Sequence, residues 1–287
     1  PPAIDTIRRA LAEDIGPGDI TSACFIPASH ASRARIIAKE NAILAGNGVA
    51  AEVLREVDSS IAVETPFNDG HSVAPGDVVL TAKGSTRALL AAERTALNFL
   101  QRLSGIATLT RRFVDAVTGT KAVILDTRKT TPGLREFERL AVRAGGGTNH
   151  RFGLFDHVLA KDNHLAVAGD AESIRHAIEE AKRLRPGITM EIEADTLGQV
   201  RMLCALPGVD IILLDNMTCE QMREAVRIRD RRPILLEASG GITLDTVRAV
   251  AETGIDRISV GSLTHSARAV DFSMEISPLS DRQPESL

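Results

Sequence analysis

The sequence predicts an α/β protein in two parts: a small α+β unit, then an incomplete α/β barrel of parallel strands. Three observations predict it. Beyond about residue 120, short apolar runs alternate with helical stretches, the rhythm of parallel strands joined by crossover helices. The first hundred residues instead show alternating apolar positions between tight turns. Most of the later apolar runs also end on a charged or polar residue, on the face where α/β barrels bind ligands.

Taken in order, Asp5 to Ala12 is a short helical pattern broken by Gly16-Pro17-Gly18. Ala34, Ile36 and Ala38, then Ile43 and Ala45, alternate as strands do. Gly46 to Val57 reads as a helix with Val49, Val53, Leu54 and Val57 on one stripe. Ile61 to Thr81 is strand-rich, with turns at Asn68-Asp69-Gly70 and Pro75-Gly76-Asp77. Thr86 to Ala116 is a long apolar-periodic segment, expected to break or bend at Gly105. The barrel strands are expected at Ala122–Leu125, His157–Ala160, Thr189–Ala194, Ile211–Leu214, Ile234–Ala238 and Arg257–Val260. Helices are expected at Ala171–Leu184, Leu197–Leu206, Cys219–Arg229 and Leu244–Glu252. Six strands fit an incomplete barrel or a doubly wound sheet; the barrel is favoured because no Gly-rich dinucleotide fingerprint follows a strand.

Composition narrows the function. The 287 residues are 44% apolar and 25% charged, enough for a full core. A net charge of −4 and the absence of Trp and Tyr argue against a nucleic-acid partner. No run of 18 apolar residues spans a membrane, and Pro1 to Asp5 lacks the features of a signal peptide. Cys24, Cys204 and Cys219 make neither a CxxC nor an even set, so a cytoplasmic location is expected.

The strand ends carry the chemistry. Arg128 and Lys129, His150 and Arg151, and Lys161 concentrate cations in a chain that is otherwise acidic. Buried cations are costly unless an anion meets them, so the pocket suits a small molecule with several negative charges. Glu191 and Glu193 stand two apart and share a face, one of them buried or paired with Lys161. Ser239-Gly240-Gly241 and Gly261-Ser262 follow the last two strands, where barrels commonly hold phosphate, with a helix start expected at Thr243–Leu244. His150, His157 and His164 match no structural zinc spacing. Glu193 and Asp215 suit Mg²⁺ held through water and substrate oxygens. A sugar phosphate with a diphosphate leaving group, beside a carboxylated acceptor, satisfies all three groups.

Longer motifs extend this reading. Glu13 to Thr21 (EDIGPGDIT), Ala92 to Asn98 (AERTALN), Leu103 to Thr108 (LSGIAT) and Asp126 to Thr130 (DTRKT) stand in the first half. Gly145 to Arg151 (GGGTNHR), Lys161 to His164 (KDNH), Leu214 to Asn216 (LDN), Glu237 to Gly241 (EASGG) and Val260 to His265 (VGSLTH) follow. On these motifs the chain resembles the quinolinate phosphoribosyltransferases over nearly its full length. The resemblance implies an N-terminal α/β sandwich, residues 1–104 with 268–287 returning to it, and a seven-stranded open barrel, residues 105–267. It implies phosphoribosyl transfer from phosphoribosyl diphosphate to quinolinate with decarboxylation, a step of NAD biosynthesis. It also implies a homodimer in which Arg94 enters the neighbour's site. Arg94, Arg128, His150, Arg151 and Lys161 would then hold the two quinolinate carboxylates. Lys129 and Lys161 would face the diphosphate, Glu193 and Asp215 the ribose and the Mg²⁺ shell. Ser239, Gly240, Gly241, Gly261 and Ser262 would cradle the 5′-phosphate, with His265 nearby. A Schiff-base enzyme using Lys161 is the rival from the residues alone, disfavoured because Glu191 and Glu193 would keep that lysine charged. A non-catalytic binder of the same fold is the other.

Overall fold

The computed structural model describes residues 2–279; residues 1 and 280–287, including the end of the expected returning segment, lie outside the described residues. Helix α1 (Pro2–Ile15) ends at Gly16, which takes a positive φ of 51°. Asp19 caps the short α2 (Ile20–Phe25) by accepting from Ser22 N. Strands β1 (Ala31–Ala38) and β2 (Ala42–Ile43) lead to α3 (Asn47–Val57), then β3 (Ala62–Glu64), β4 (Ser72–Val73) and β5 (Val78–Ser85). Helix α4 (Thr86–Ala116) follows, then β6 (Val123–Leu125), α5 (Arg135–Ala144) and β7 (Val158–Ala160). Next come α6 (Asp162–Ala168), α7 (Ala171–Leu184), β8 (Met190–Ala194), α8 (Leu197–Ala205), β9 (Ile211–Asp215) and α9 (Cys219–Arg229). The chain closes with β10 (Leu235–Ser239), α10 (Val247–Ala251), β11 (Arg257–Ser259), α11 (Ser262–His265) and β12 (Phe272–Pro278).

The chain divides into two compact units: residues 1–109, 131–146 and 266–287 form the first, and 110–130 with 147–265 the second. In the first unit an antiparallel sheet runs β12-β1-β5-β3. Along β1, Ser32, Ala34 and Ile36 are buried while Ala31, Arg33 and Arg35 are exposed, the alternation of a sheet covered on one face. Arg102 of α4 pairs at 2.9 Å with the fully buried Glu138 of α5, which also accepts from Thr131 N and Oγ1.

Helix α4 corrects one expectation. It runs unbroken through Gly105 for 31 residues. The glycine is there for closeness: a Cβ at position 105 would overlap the backbone carbonyl of Arg268. Helix α5 was not foreseen, although Phe137, Ala141 and Val142 stand at helical spacing and are buried while charged residues fill the other face.

The second unit is a parallel sheet in the order β6-β11-β10-β9-β8-β7. Its six strands fall where apolar runs were expected; β9 is buried except at Asp215, and β10 is buried over residues 236–238. The resemblance noted above implies seven strands. Among the described residues, the remaining parallel pairing is an isolated bridge from Leu125 to Thr148. Gly145-Gly146-Gly147 precede it, and glycine weakens strands. Side chains from β8 and β10, which are not neighbours, meet on the same histidine, so the sheet curls around an interior. With Thr148 at one edge and β7 at the other, this is an open α/β barrel.

Candidate active site

The strand ends of the second unit surround a cavity of about 590 Å³. It is lined by Arg128, Lys129, His150, Arg151 and Lys161, by Asp215 and Asn216, and by Ser239, Gly240 and Gly241. Of its lining residues, Asn216, Glu237 and Ser259 were not expected in the site, whereas the expected Glu193, Gly261, Ser262 and His265 are not among them.

Local structure explains how the cations reach the rim. Asp126 follows β6, is fully buried, and accepts from His150 N and Asn149 Nδ2, both at 2.6 Å. This carboxylate ties the segment after the three glycines to the end of β6 and brings His150 and Arg151 beside Arg128. Thr264 Oγ1 donates to Lys129 O at 2.7 Å, fixing the backbone that presents Lys129. Lys161 stands between β7 and α6, its ammonium 3.4 Å from Glu193 Oε2, while Asp162 N donates to Glu193 Oε1 at 3.2 Å. Glu193 is the member of the β8 pair that meets Lys161; Glu191 turns to two histidines instead.

On the opposite side the backbone turns tightly. Asn216 N donates to Ser239 O at 3.0 Å, and Asn216, Gly240 and Gly241 all have positive φ, 52°, 93° and 62°. Successive left-handed residues turn backbone N–H groups into a concave anion nest. Gly261 packs against Lys129 and His265: a Cβ there would lie 2.9 Å from Lys129 Cδ and 3.3 Å from His265 Nε2. Ser262 opens α11 immediately after it. The helix expected from Leu244 begins only at Val247 and has five residues, so it adds no dipole at the Gly-Gly turn. Residues 243–246 form a turn in which Thr246 Oγ1 accepts from Thr243 N, and this hydroxyl bond displaces the helix start.

Acidic groups lie between the two sides. Carboxylate oxygens of Glu193, Asp195 and Asp215 come within 4.8 Å of one another. An all-oxygen carboxylate set fits a hard divalent cation such as Mg²⁺. Asp195 was missed, although the two-residue spacing from Glu193 was a readable signal.

Electrostatics mark the pocket as an anion site. Burial, and then the charge of Arg128, depress the pKa of Arg151. The His150 side chain is 7% exposed. Burial, the largest single influence, pulls its pKa down, but Glu191 and Glu237 outweigh it and raise it to about 9. One contact opposes this: Arg151 N donates to His150 Nδ1 at 2.7 Å, which requires an unprotonated Nδ1. Two carboxylates at 3.0 and 3.3 Å from Nε2 favour the protonated ring and are the cause of the upward shift. The backbone contact belongs to the neutral ring. Because the folded pKa lies above the ordinary 6.5, the stabilisation from His150 is complete below pH 6.5 and lost as pH rises through about 9. The unfolding free-energy difference between the natural protein and His150→Gln is therefore expected to shrink from pH 6.5 to 9.5. Chemical denaturation at a series of pH values measures it, and a flat difference would refute the assignment.

A second cavity of about 480 Å³ lies against α7, lined by Val158, Ile174, Ile178 and Met190, with Arg128, Arg151 and Lys161 at its border. Its apolar walls offer nothing to a sugar phosphate. Arg94 stands exposed on α4 in the first unit.

An open α/β barrel with converging cations, a glycine-built anion nest and carboxylates between them defines a transferase-type site for two polyanionic small molecules. The quinolinate phosphoribosyl transferase C-terminal domain model matches residues 106–275, and the N-terminal domain model of the same family matches residues 19–104. The nicotinate-nucleotide pyrophosphorylase [carboxylating] of Mycobacterium leprae is 44% identical over 280 residues, covering 96% of this chain and 97% of that protein. The quinolinate phosphoribosyltransferase [decarboxylating] 1b of Nicotiana tabacum is 40% identical over 288 residues, covering 94% and 81%. The crystal structure of NadC from Streptococcus pyogenes superposes with a TM-score of 0.90 at 41% identity, covering 96% of each chain. This chain belongs to the quinolinate phosphoribosyl transferase family.

Proposed function

We propose that this protein transfers the phosphoribosyl group of phosphoribosyl diphosphate to quinolinate and decarboxylates the product. The observation that carries this is one cavity in which Arg128, Lys129, His150, Arg151 and Lys161 face the Ser239–Gly241 turn across Asp215. Arg128, His150, Arg151 and Lys161 hold the two acceptor carboxylates, since a guanidinium fork meets a carboxylate through two parallel bonds. The nest at Ser239, Gly240 and Gly241, with Gly261, Ser262 and His265, takes the 5′-phosphate.

The bond from the quinolinate ring nitrogen to ribose C1 forms as the bond from C1 to diphosphate breaks. Glu193 and Asp215 stabilise the positive charge that develops on the ribosyl group, and Lys129 and Lys161 the charge on departing diphosphate. The ring nitrogen is then cationic. It takes up the electron pair left when the adjacent carboxylate departs as CO₂, and that carbon gains a proton. Nicotinate mononucleotide, diphosphate and CO₂ result, with no protein nucleophile. When bound, Mg²⁺ would neutralise diphosphate oxygens, held near Glu193, Asp195 and Asp215. The assay is formation of nicotinate mononucleotide from both substrates with Mg²⁺. Turnover is expected, along with its loss after chelation and recovery on adding Mg²⁺. A folded protein that binds quinolinate without turnover would favour the binder.

Two chains would complete the site, with Arg94 of each entering the other's pocket. Exposed Ile20 and Phe25 in the first unit and exposed Leu154 and Phe155 in the second are apolar surface that a partner copy would cover. Inactive Arg94→Ala mixed with inactive Lys161→Ala is expected to regain about a quarter of natural activity. The estimate assumes random exchange of subunits in a twofold dimer with shared sites. Absence of any recovery after verified exchange would exclude shared sites. Among the described residues no helix is long and apolar enough to cross a membrane, and all three cysteines are free thiols, as a place in the cytoplasm would require.

A further inference from the structure

Carboxylate, imidazole and guanidinium side chains from separate segments form one buried chain, of which His150 and Glu237 line the cavity itself. Glu191 of β8 is fully buried, and its Oε2 lies 3.0 Å from His150 Nε2 and 2.9 Å from His157 Nε2. His150 Nε2 also lies 3.3 Å from Glu237 Oε1 on β10, whose other oxygen is 2.9 Å from Arg257 Nε on β11. The two imidazole rings stack, with centroids 5.1 Å apart and planes inclined by 29°. Arg151 Nη1 donates to the His157 carbonyl at 3.4 Å. His157, Glu191, Glu237 and Arg257 have no part in the chemistry above.

Two carboxylates sunk in a barrel core need compensation, and a well-filled apolar interior would commonly be at least as stable. Such a network earns its place by fixing geometry. Here it holds His150 from two sides, and the His157 carbonyl holds the guanidinium of the next residue, Arg151. Both held groups face the cavity. We propose that His157, Glu191, Glu237 and Arg257 are positioning residues that set the His150 ring and the Arg151 guanidinium for the acceptor dicarboxylate. This role presupposes the acceptor pocket proposed above. The same three groups, His150, His157 and Glu191, could approach a metal ion. Arg151 N donates to His150 Nδ1 at 2.7 Å, which puts the ring proton on Nε2, facing Glu191 and Glu237, and leaves no lone pair there for an ion; the positioning role is therefore preferred.

The test compares Glu191→Gln and His157→Phe with Arg151→Ala in the full-length enzyme, measuring kcat, the KM of each substrate and Tm. The glutamine keeps the volume of Glu191 without its charge; the phenylalanine keeps the ring stack without Nε2. Each is expected to raise the quinolinate KM by roughly 10- to 100-fold, the usual scale for losing an orienting partner, with the phosphoribosyl diphosphate KM within about twofold. The double variant should fall short of the product of the two effects, because both act through one Glu191 oxygen. If Glu191→Gln fails to fold, His157→Phe decides alone. A lower Tm with both KM values intact would overturn the proposal by making the network mere core. One equivalent of zinc retained after dialysis, and lost in His157→Phe, would overturn it in favour of a metal site. Should Arg151→Ala also leave the quinolinate KM unchanged, the acceptor pocket itself is misplaced; impairment of Arg151→Ala alone sinks only the network's role.

Discussion

Arg151→Ala is expected to lower kcat/KM for quinolinate by roughly 10²- to 10³-fold, the scale of about 3–4 kcal/mol for truncating one partner of a buried charge pair. The size follows from the environment of the side chain. Arg151 is half-buried, and burial together with the adjacent Arg128 charge works against its protonated form. A dianionic acceptor relieves both, so much of its binding free energy is gained at this point. Removing the guanidinium leaves a desolvated carboxylate facing methyl groups and water. Arg151→Lys should lie between the two, since it keeps the charge and loses the bidentate fork. Steady-state kinetics with saturating phosphoribosyl diphosphate measure all three. A loss below tenfold for the alanine variant would remove Arg151 from the acceptor contacts.

Gly240→Ala is the second large effect, and it separates the two ends of the cavity. Its φ of 93° is unfavourable for alanine, and its new Cβ would overlap Asn216 Oδ1 and lie 3.1 Å from Asn216 N. Asn216 cannot yield easily. Its own φ is 52°, its N–H is bonded to Ser239 O, and its Nδ2 donates to Asp215 Oδ2 at 2.7 Å. Backbone strain and overpacking together suggest about 2–4 kcal/mol of lost stability. Displacing the nest should also raise the KM for phosphoribosyl diphosphate by at least about tenfold, the equivalent of one charged hydrogen bond. Gly241→Ala is the internal control. Its φ of 62° carries a conformational penalty of about 1–2 kcal/mol, but nothing lies within 4 Å of its Cβ. Thermal melts and substrate titrations should rank Gly240→Ala well below Gly241→Ala. Equal effects would show that close approach to Asn216 does not matter.

Parallel strands buried on both faces are short, nearly continuous apolar runs, which is why β9 and β10 were visible in Ile211–Leu214 and Ile234–Ala238. Their ends were visible too, because a charged residue stopping an apolar run must face water or a ligand. Hence Lys161, Asp215 and Ser239 were readable as site residues from position alone. Helix α5 was legible in the spacing of Phe137, Ala141 and Val142 but was overlooked, and the helix after Gly241 was placed too early because Thr243 resembles a cap while its partner Thr246 makes a competing turn.

What the sequence by itself determined is the alternation of strands and helices, the face on which chemistry sits, and the family. Each is encoded in residues close together along the chain. The tertiary structure alone decided which of Glu191 and Glu193 meets Lys161, that Asp195 joins the carboxylates, and that His157 and Arg257 pair with the two glutamates around His150. Those facts depend on side chains twenty or more positions apart converging inside a curled sheet. Spacing along a chain carries no information about the barrel's curvature, which sets those distances.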